Sequence, residues 1–200
     1  MPSPNEAKWK RNAERYREIW NLPRCIEATD EKLIRVKYFP KSGSLDFKRK
    51  GYFSVVLLAC ADVHALFTTV HVGYFSKNSD GSVFRASTLG QLLDTEQLHI
   101  PCPASLSKDD SGEMFPCYFV ADEAFPLKFN IMRPYPRRMI INKRRIFNYR
   151  LSRARKSVEC AFGILTAKFK IFERPICCKE HSAISIVKAS VLLRNFIRIR

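Results

Sequence analysis

Two carboxylates in this chain stand where acids do chemistry. Asp122 follows the compact apolar run Cys117-Tyr118-Phe119-Val120-Ala121, which reads as a buried strand bounded by Pro116, so the acid sits at a strand end. Glu159 comes one residue after Val158 in an apolar series at 147, 151, 154, 158, 161, 165, 169 and 172. Steps of three and four form one stripe only on a helix, and Glu159 projects from the edge of that stripe. Between 133 and 156 stand ten Lys or Arg residues and no Asp or Glu. Acids beside a one-signed basic run fit phosphodiester chemistry. Three or four carboxylates around two Mg²⁺ or Mn²⁺ ions, about 4 Å apart, let one ion activate water or a 3′ hydroxyl and the other stabilise the leaving oxygen. Lys and Arg meanwhile hold the phosphate backbone without reading bases.

Alternatives stay open at this level. Glu159 also fits an exposed helix acid paired with Arg155 at i−4, worth about 0.2–0.5 kcal/mol. Asp30, Asp46, Asp62 and Asp80 are all candidates for the remaining carboxylates, and the spacing does not choose among them.

The elements that must carry these acids follow from periodicity. Residues 5–20 are charged and helical in pattern, with Trp9, Ala13, Tyr16 and Trp20 at helical steps, and predict a surface helix ended by Pro23. A strand is expected from about Ala28, with Ile34 and Val36 on one face, and Asp30 lies early in it. Pro40 and Gly43 end it, and Lys48, Arg49 and Lys50 lead into 52–61, a run apolar enough for a central strand buried on both faces. A tight turn at 62–65 returns the chain as a third strand over 66–72, making a hairpin. Residues 82–93 predict one helix. Residues 94–116, with Asp109 and Asp110, predict a variable surface loop. A last amphipathic helix is expected over 184–197. The whole reads as a mixed sheet with helices packed on it, an α/β architecture that collects residues from different strand ends.

At 200 residues with 46% hydrophobic and 12% aromatic content, the chain supports a sizeable core and is not disordered. A formal charge of +16 points to a polyanionic partner, nucleic acid or an anionic membrane. No run of 18 apolar residues occurs and the first residues lack a signal-peptide core, so the expected place of action is the nucleus or cytoplasm and membrane association is not expected. Seven cysteines without a secretory signal read as reduced thiols, with Cys25, Cys60, Cys117 and Cys160 taken as buried small residues. Cys177, Cys178 and His181 lack a second Cys pair at finger spacing and do not read as a zinc site.

Five segments together resemble a known family: WNLPRCIEATDEKLIRVK (20–37), PKSGSLDFKRKGYFSVVLLACAD (40–62), NSDGSVFRASTLG (78–90), ADEAFPLKFNIMRPYP (121–136) and NKRRIFNYRLSRARKSVECAFGIL (142–165). They are similar, in order, to the nuclease domain of PIF/Harbinger transposases and their domesticated relatives, members of the DDE superfamily. The resemblance implies an RNase H-like mixed sheet flanked by helices, with a C-terminal helical extension. It divides the chain into an N-terminal basic helical segment (1–22) and the nuclease domain (23–200), with 94–116 as a variable loop. It implies a DNA endonuclease requiring Mg²⁺ or Mn²⁺, whose four carboxylates fall on Asp30, Asp80, Asp122 and Glu159, and it gives Asp62 no metal role. Phosphate contacts fall on Arg137, Arg138, Lys143, Arg144, Arg145, Arg150, Arg153, Arg155 and Lys156. The family's Gly and His after the first acid are Glu31 and Leu33 here, and Arg194 stands where the family usually has His. Family members carry a further helical DNA-binding region before the W-N-x-P segment, where this chain has about 20 residues. The resemblance therefore implies that target recognition is lost or comes from a Myb/SANT-like partner. The alternative reading is a truncated or domesticated relic that binds DNA or a partner without cutting.

Overall fold

The computed structural model describes residues 4–37, 53–73, 80–106, 111–136, 138 and 141–199, with backbone alone for 80–82. In chain order these form α1 (Glu6–Trp20), β1 (Cys25–Arg35), β2 (Ser54–Ala61), β3 (Phe67–Gly73), α2 (Asp80–Ala86), α3 (Thr88–Asp94), β4 (Tyr118–Val120), β5 (Ile131–Met132), α4 (Asn142–Lys168) and α5 (Glu180–Ile199). Asp46, Lys48, Arg49, Lys50, Asp109, Asp110 and Arg137, all named above, lie outside the described residues, as does the side chain of Asp80.

The strands form one sheet in the order β3-β2-β1-β4-β5. β1, β2 and β3 pair antiparallel, whereas β4 joins β1 and β5 joins β4 in parallel. Every residue of β2 is buried, as its continuous apolar run requires. Alternation then divides its side chains between two cores. Val55, Leu57, Ala59 and Ala61 face a core shared with α4 and α5, while Leu58 and Cys60 face a core shared with Trp9, Phe84 and Leu89. This five-stranded mixed sheet flanked by helices, with a C-terminal helix, is the RNase H-like arrangement.

α4 forms because its apolar residues keep helical phase over seven turns. Leu151, Ala154, Val158, Ala161 and Leu165 are all fully buried against the sheet, where burying each Leu or Val side chain contributes about 1.5–3 kcal/mol. The helix ends at Lys168, and a 3-10 turn over Lys170–Phe172 carries the last aromatic of the stripe.

Several expectations need correction. α1 is more than a surface helix: Trp9 and Tyr16 are fully buried. Trp9 Nε1 donates to the Leu98 carbonyl at 2.8 Å, and Tyr16 Oη lies 2.8 Å from Ser157 Oγ. The aromatic residues at helical spacing between charges are the buried stripe. β1 starts at Cys25, three residues before the expected Ala28, because pairing with β4 begins there. The single helix over 82–93 is two, broken at Ser87. The Ser87 hydroxyl donates to the Phe84 carbonyl at 2.6 Å and accepts from Gly90 N at 3.0 Å, ending one helix and capping the next. Gly90 permits the tight join, since a Cβ there would meet Phe84 O at 2.1 Å. The 94–116 segment is tied in as well as exposed: Leu98 is buried, and Ala104 and Phe115 exchange backbone hydrogen bonds at 3.0 and 3.1 Å. β5, two residues long between proline-rich stretches, has no periodic signal and is an addition to the expected strands. Cys160 is exposed rather than buried, because it lies two residues past Val158 and so on the opposite side of α4. Cys25, Cys60 and Cys117 are buried.

Candidate active site

The parallel register of β1 and β4 sets Ala28 opposite Val120. Both side chains belong to the α4-side core. Two residues further along come Asp30, still in β1, which alternation turns toward α4, and Asp122, just past the end of β4. Neighbouring strands run about 5 Å apart, and the charges feel each other. Burial pushes the Asp30 carboxyl above the usual aspartate range; the Arg155 guanidinium pulls it down, and the charge of Asp122 pushes it up further. Asp122 is anchored by its own turn, Oδ1 accepting from Ala124 N at 2.9 Å.

Glu159 comes from α4. Its approach to Asp30 is made through Arg155, one helical turn earlier. Arg155 Nη2 lies 3.0 Å from Asp30 Oδ2 and 3.4 Å from Glu159 Oε1. The other Asp30 oxygen, Oδ1, accepts from Glu31 N at 2.8 Å. The Asp30 and Arg155 side chains are 14% and 18% exposed, whereas Glu159 is 49% exposed. A largely desolvated pair thus opens to solvent through one acid. The structure links Asp30 to Glu159 through Arg155 and sets Asp122 near enough for its charge to act on Asp30. Asp80 opens α2 with its backbone, and its side chain is not described.

Asp62 has a different task. Its Oδ1 accepts from His64 N at 3.0 Å and Leu66 N at 2.9 Å, which holds the β2–β3 turn. Arg194 lies away from the acids, 2% exposed, with its guanidinium 5.0 Å from the Phe67 ring centroid. Burial lowers its pKa to about 10. Its Nη1 donates to Asn195 Oδ1 at 3.1 Å, and Asn195 in turn pairs with both backbone groups of Phe67 at 3.1 and 2.6 Å. These contacts fasten α5 to the edge of β3.

The basic residues cluster around the first turns of α4. That helix starts at Ile141 with no side-chain cap and no acid in its first turn, while Lys143, Arg144 and Arg145 crowd its N-terminus. Cations at the positive end of a helix dipole are unfavourable, by about 0.3–1 kcal/mol each, unless an anion joins them. Several guanidiniums lie on aromatic rings: Arg144 over Tyr135 at 4.9 Å, and Arg153 over Trp20 at 5.0 Å. Asn148 fixes the neighbouring segment, accepting from Tyr135 N at 2.8 Å and donating to Tyr135 O at 2.9 Å. Arg138, Lys143, Arg145, Arg153 and Lys156 are exposed, and Arg144 and Arg150 are half-buried. Arg155 alone among the described phosphate candidates pairs with the acids.

Sequence reasoning reached the acids but not the Asp30–Arg155 contact, which joins positions 125 residues apart. It also passed over Glu27 and Asn148. Glu27 had a signal, an acid between the apolar residues Ile26 and Ala28 of a strand.

Oxygen-only carboxylate donors suit a hard divalent cation in kind. Among the described residues no three His, Cys, Asp or Glu side chains gather closely enough to hold a metal ion. Between Asp30 Oδ2 and Glu159 Oε1 lies a cation of the chain itself, the Arg155 guanidinium.

The domain is thus of the RNase H-like class, with Asp30 on β1, Asp122 just past β4 and Glu159 on the helix packed against the sheet. The chain belongs to the DDE superfamily endonucleases, whose family model matches residues 29–195. No curated protein and no solved structure matches it. The match makes DNA the implied substrate and nuclease activity the implied function, and enzymes of this superfamily typically use divalent metals. No helix among the described residues is long and apolar enough to cross a membrane.

Proposed function

We propose that this domain is a divalent-metal-dependent DNA endonuclease of the PIF/Harbinger transposase type. The observation that supports the reading is the Arg155 cation drawn between Asp30 and Glu159, with the Asp30 carboxyl desolvated and within reach of the charge of Asp122. Asp30, Asp122 and Glu159, joined by Asp80, would hold Mg²⁺ or Mn²⁺. The metal, when bound, supplies an activated water and charge neutralisation at the phosphodiester.

The chain's own residues supply position. β1 is paired with β4 as far as Ala28 and with β2 through Asp30 to Arg35, so Asp30 stands on a strand held from the β2 side. The Asx turn fixes Asp122. The cation-rich start of α4, with no side-chain cap, offers positive charge and the helix dipole to a phosphate, and Lys143, Arg145, Arg153 and Lys156 extend that grip along the helix. On this reading the protein acts in the nucleus, and a separate Myb/SANT-like protein selects the target.

Calorimetric Mn²⁺ titration of the wild type beside Asp122→Asn, with nicking of supercoiled plasmid followed on the same samples, tests the reading. The wild type should bind metal and nick, and the variant should do neither. One observation favours the second reading, a DNA-binding relic that does not cut: the described acids form no group of three. Salt-dependent DNA binding by both proteins, with neither Mn²⁺ binding nor nicking, would establish it.

A further inference from the structure

Arg155 is placed unlike any other cation of the basic stretch. One nitrogen, Nη2, meets both Asp30 Oδ2 and Glu159 Oε1, at 3.0 and 3.4 Å. The side chain is mostly buried, and its Nε has no hydrogen-bond partner. A buried donor left unmade is costly, so the guanidinium keeps this seat because two carboxylates hold it there. Mg²⁺ requires oxygens at about 2.0–2.1 Å in near-octahedral array. Two oxygens that each contact the same nitrogen cannot also converge on a metal while the nitrogen stays between them.

We infer that Arg155 is the resident counter-cation of the acidic site: a positioning residue that keeps Asp30 and Glu159 convergent, and that must release them before a divalent cation binds. The inference rests on the metal-dependent reading above. Two consequences follow from the geometry. Without Arg155 the acids repel one another, and a metal meets no competitor. With it, metal binding includes the work of moving a guanidinium out through the side where Glu159 reaches solvent. Lys156, three residues before Glu159, is its neighbour on that side of the helix, so the released Nε and Nη groups join an exposed cation there. The same residue then serves the site twice, as a stand-in for metal and as a ligand for substrate phosphate.

The experiment compares Mn²⁺ affinity, by calorimetry in the full chain, for wild type, Arg155→Gln and Arg155→Lys. Arg155→Gln should bind Mn²⁺ at least tenfold more tightly than wild type, with Arg155→Lys, which keeps the charge, close to wild type. Binding by Arg155→Gln where the wild type shows none supports the inference in its strongest form. Equal or weaker binding by a folded Arg155→Gln overturns it and leaves the endonuclease reading standing. A second measurement needs no variant to stay folded apart from an assignment control. In the wild type, the ¹⁵N-edited Nε–H resonance of Arg155, identified by its loss in Arg155→Lys, should shift in step with Mg²⁺ saturation. A resonance that stays fixed while Mg²⁺ binds overturns the inference. Metal binding by none of the three chains overturns both the inference and the metal-dependent function.

Discussion

Glu27 sits where burial works against its ionisation. It is fully buried in β1, and desolvation raises its pKa to about 8, with the Thr68 hydrogen bond opposing the rise. Both carboxyl oxygens accept hydrogen bonds: Oε2 from Thr68 Oγ1 at 2.6 Å and Oε1 from Asn12 Nδ2 at 3.3 Å. The folded pKa lies above the unfolded value, so this group's stabilisation is fully present below about pH 4.5 and is lost as pH rises through about 8. The loss runs at up to about 1.4 kcal/mol per pH unit and totals a few kcal/mol in order of magnitude. Glu27→Gln keeps the shape without the titration. Urea midpoints measured from pH 5 to pH 8.5 should fall more steeply for the wild type than for Glu27→Gln; parallel profiles would show that Glu27 is already ionised in the fold.

At the scale of the element, α4 has two halves with opposed demands. Its second half is set by packing, with Val158, Ala161 and Leu165 fully buried. Its first half collects like charges at the end of the dipole that disfavours them, with no capping side chain. That arrangement makes the helix less stable alone than it is beside an anion. Replacing Lys143 and Arg145 together by alanine should therefore act in two directions. The free protein should gain up to about 1 kcal/mol in urea denaturation, because repulsion at the helix start is relieved. DNA affinity should fall, and the slope of log K against log salt should become shallower by about 1 for each phosphate that is no longer neutralised. An unchanged salt slope would remove the start of α4 from the DNA interface. Arg153, stacked on Trp20 and hydrogen-bonded to Tyr149 Oη at 3.1 Å, is fixed by aromatic residues instead, and its removal would disturb the packing as well as the charge.

Over the whole molecule, what the sequence disclosed divides by physical range. Strands β2 and β3 and helices α4 and α5 are readable because their apolar period is local, as is the position of Asp122 at a strand end. The break at Ser87 was hidden because a serine cap and a close-packed Gly90 both fit within a helical period. β5 was hidden because two residues carry no period. At the site, Arg155 and Glu159 are neighbours by helical spacing, but Asp30 reaches them only through the parallel pairing of β1 with β4 and the packing of α4 across both. Those contacts are made between residues distant in the chain, and no local pattern encodes them. The same separation governs time. Asp30 and Asp122 stand far apart in the chain, and bringing β4 beside β1 closes a long loop before any contact rewards it. The β2–β3 hairpin, turned by Asp62, and the local hydrogen bonds of α4 have no such delay. Pulse-labelled hydrogen exchange during refolding should find amides of the hairpin and of α4 protected first, and those of Phe119 and Ala121 last; early protection of β4 would reverse that order. If the order holds, the acids meet only when the sheet is complete, and a partly folded chain carries no assembled centre with which to damage the polymer it is attracted to.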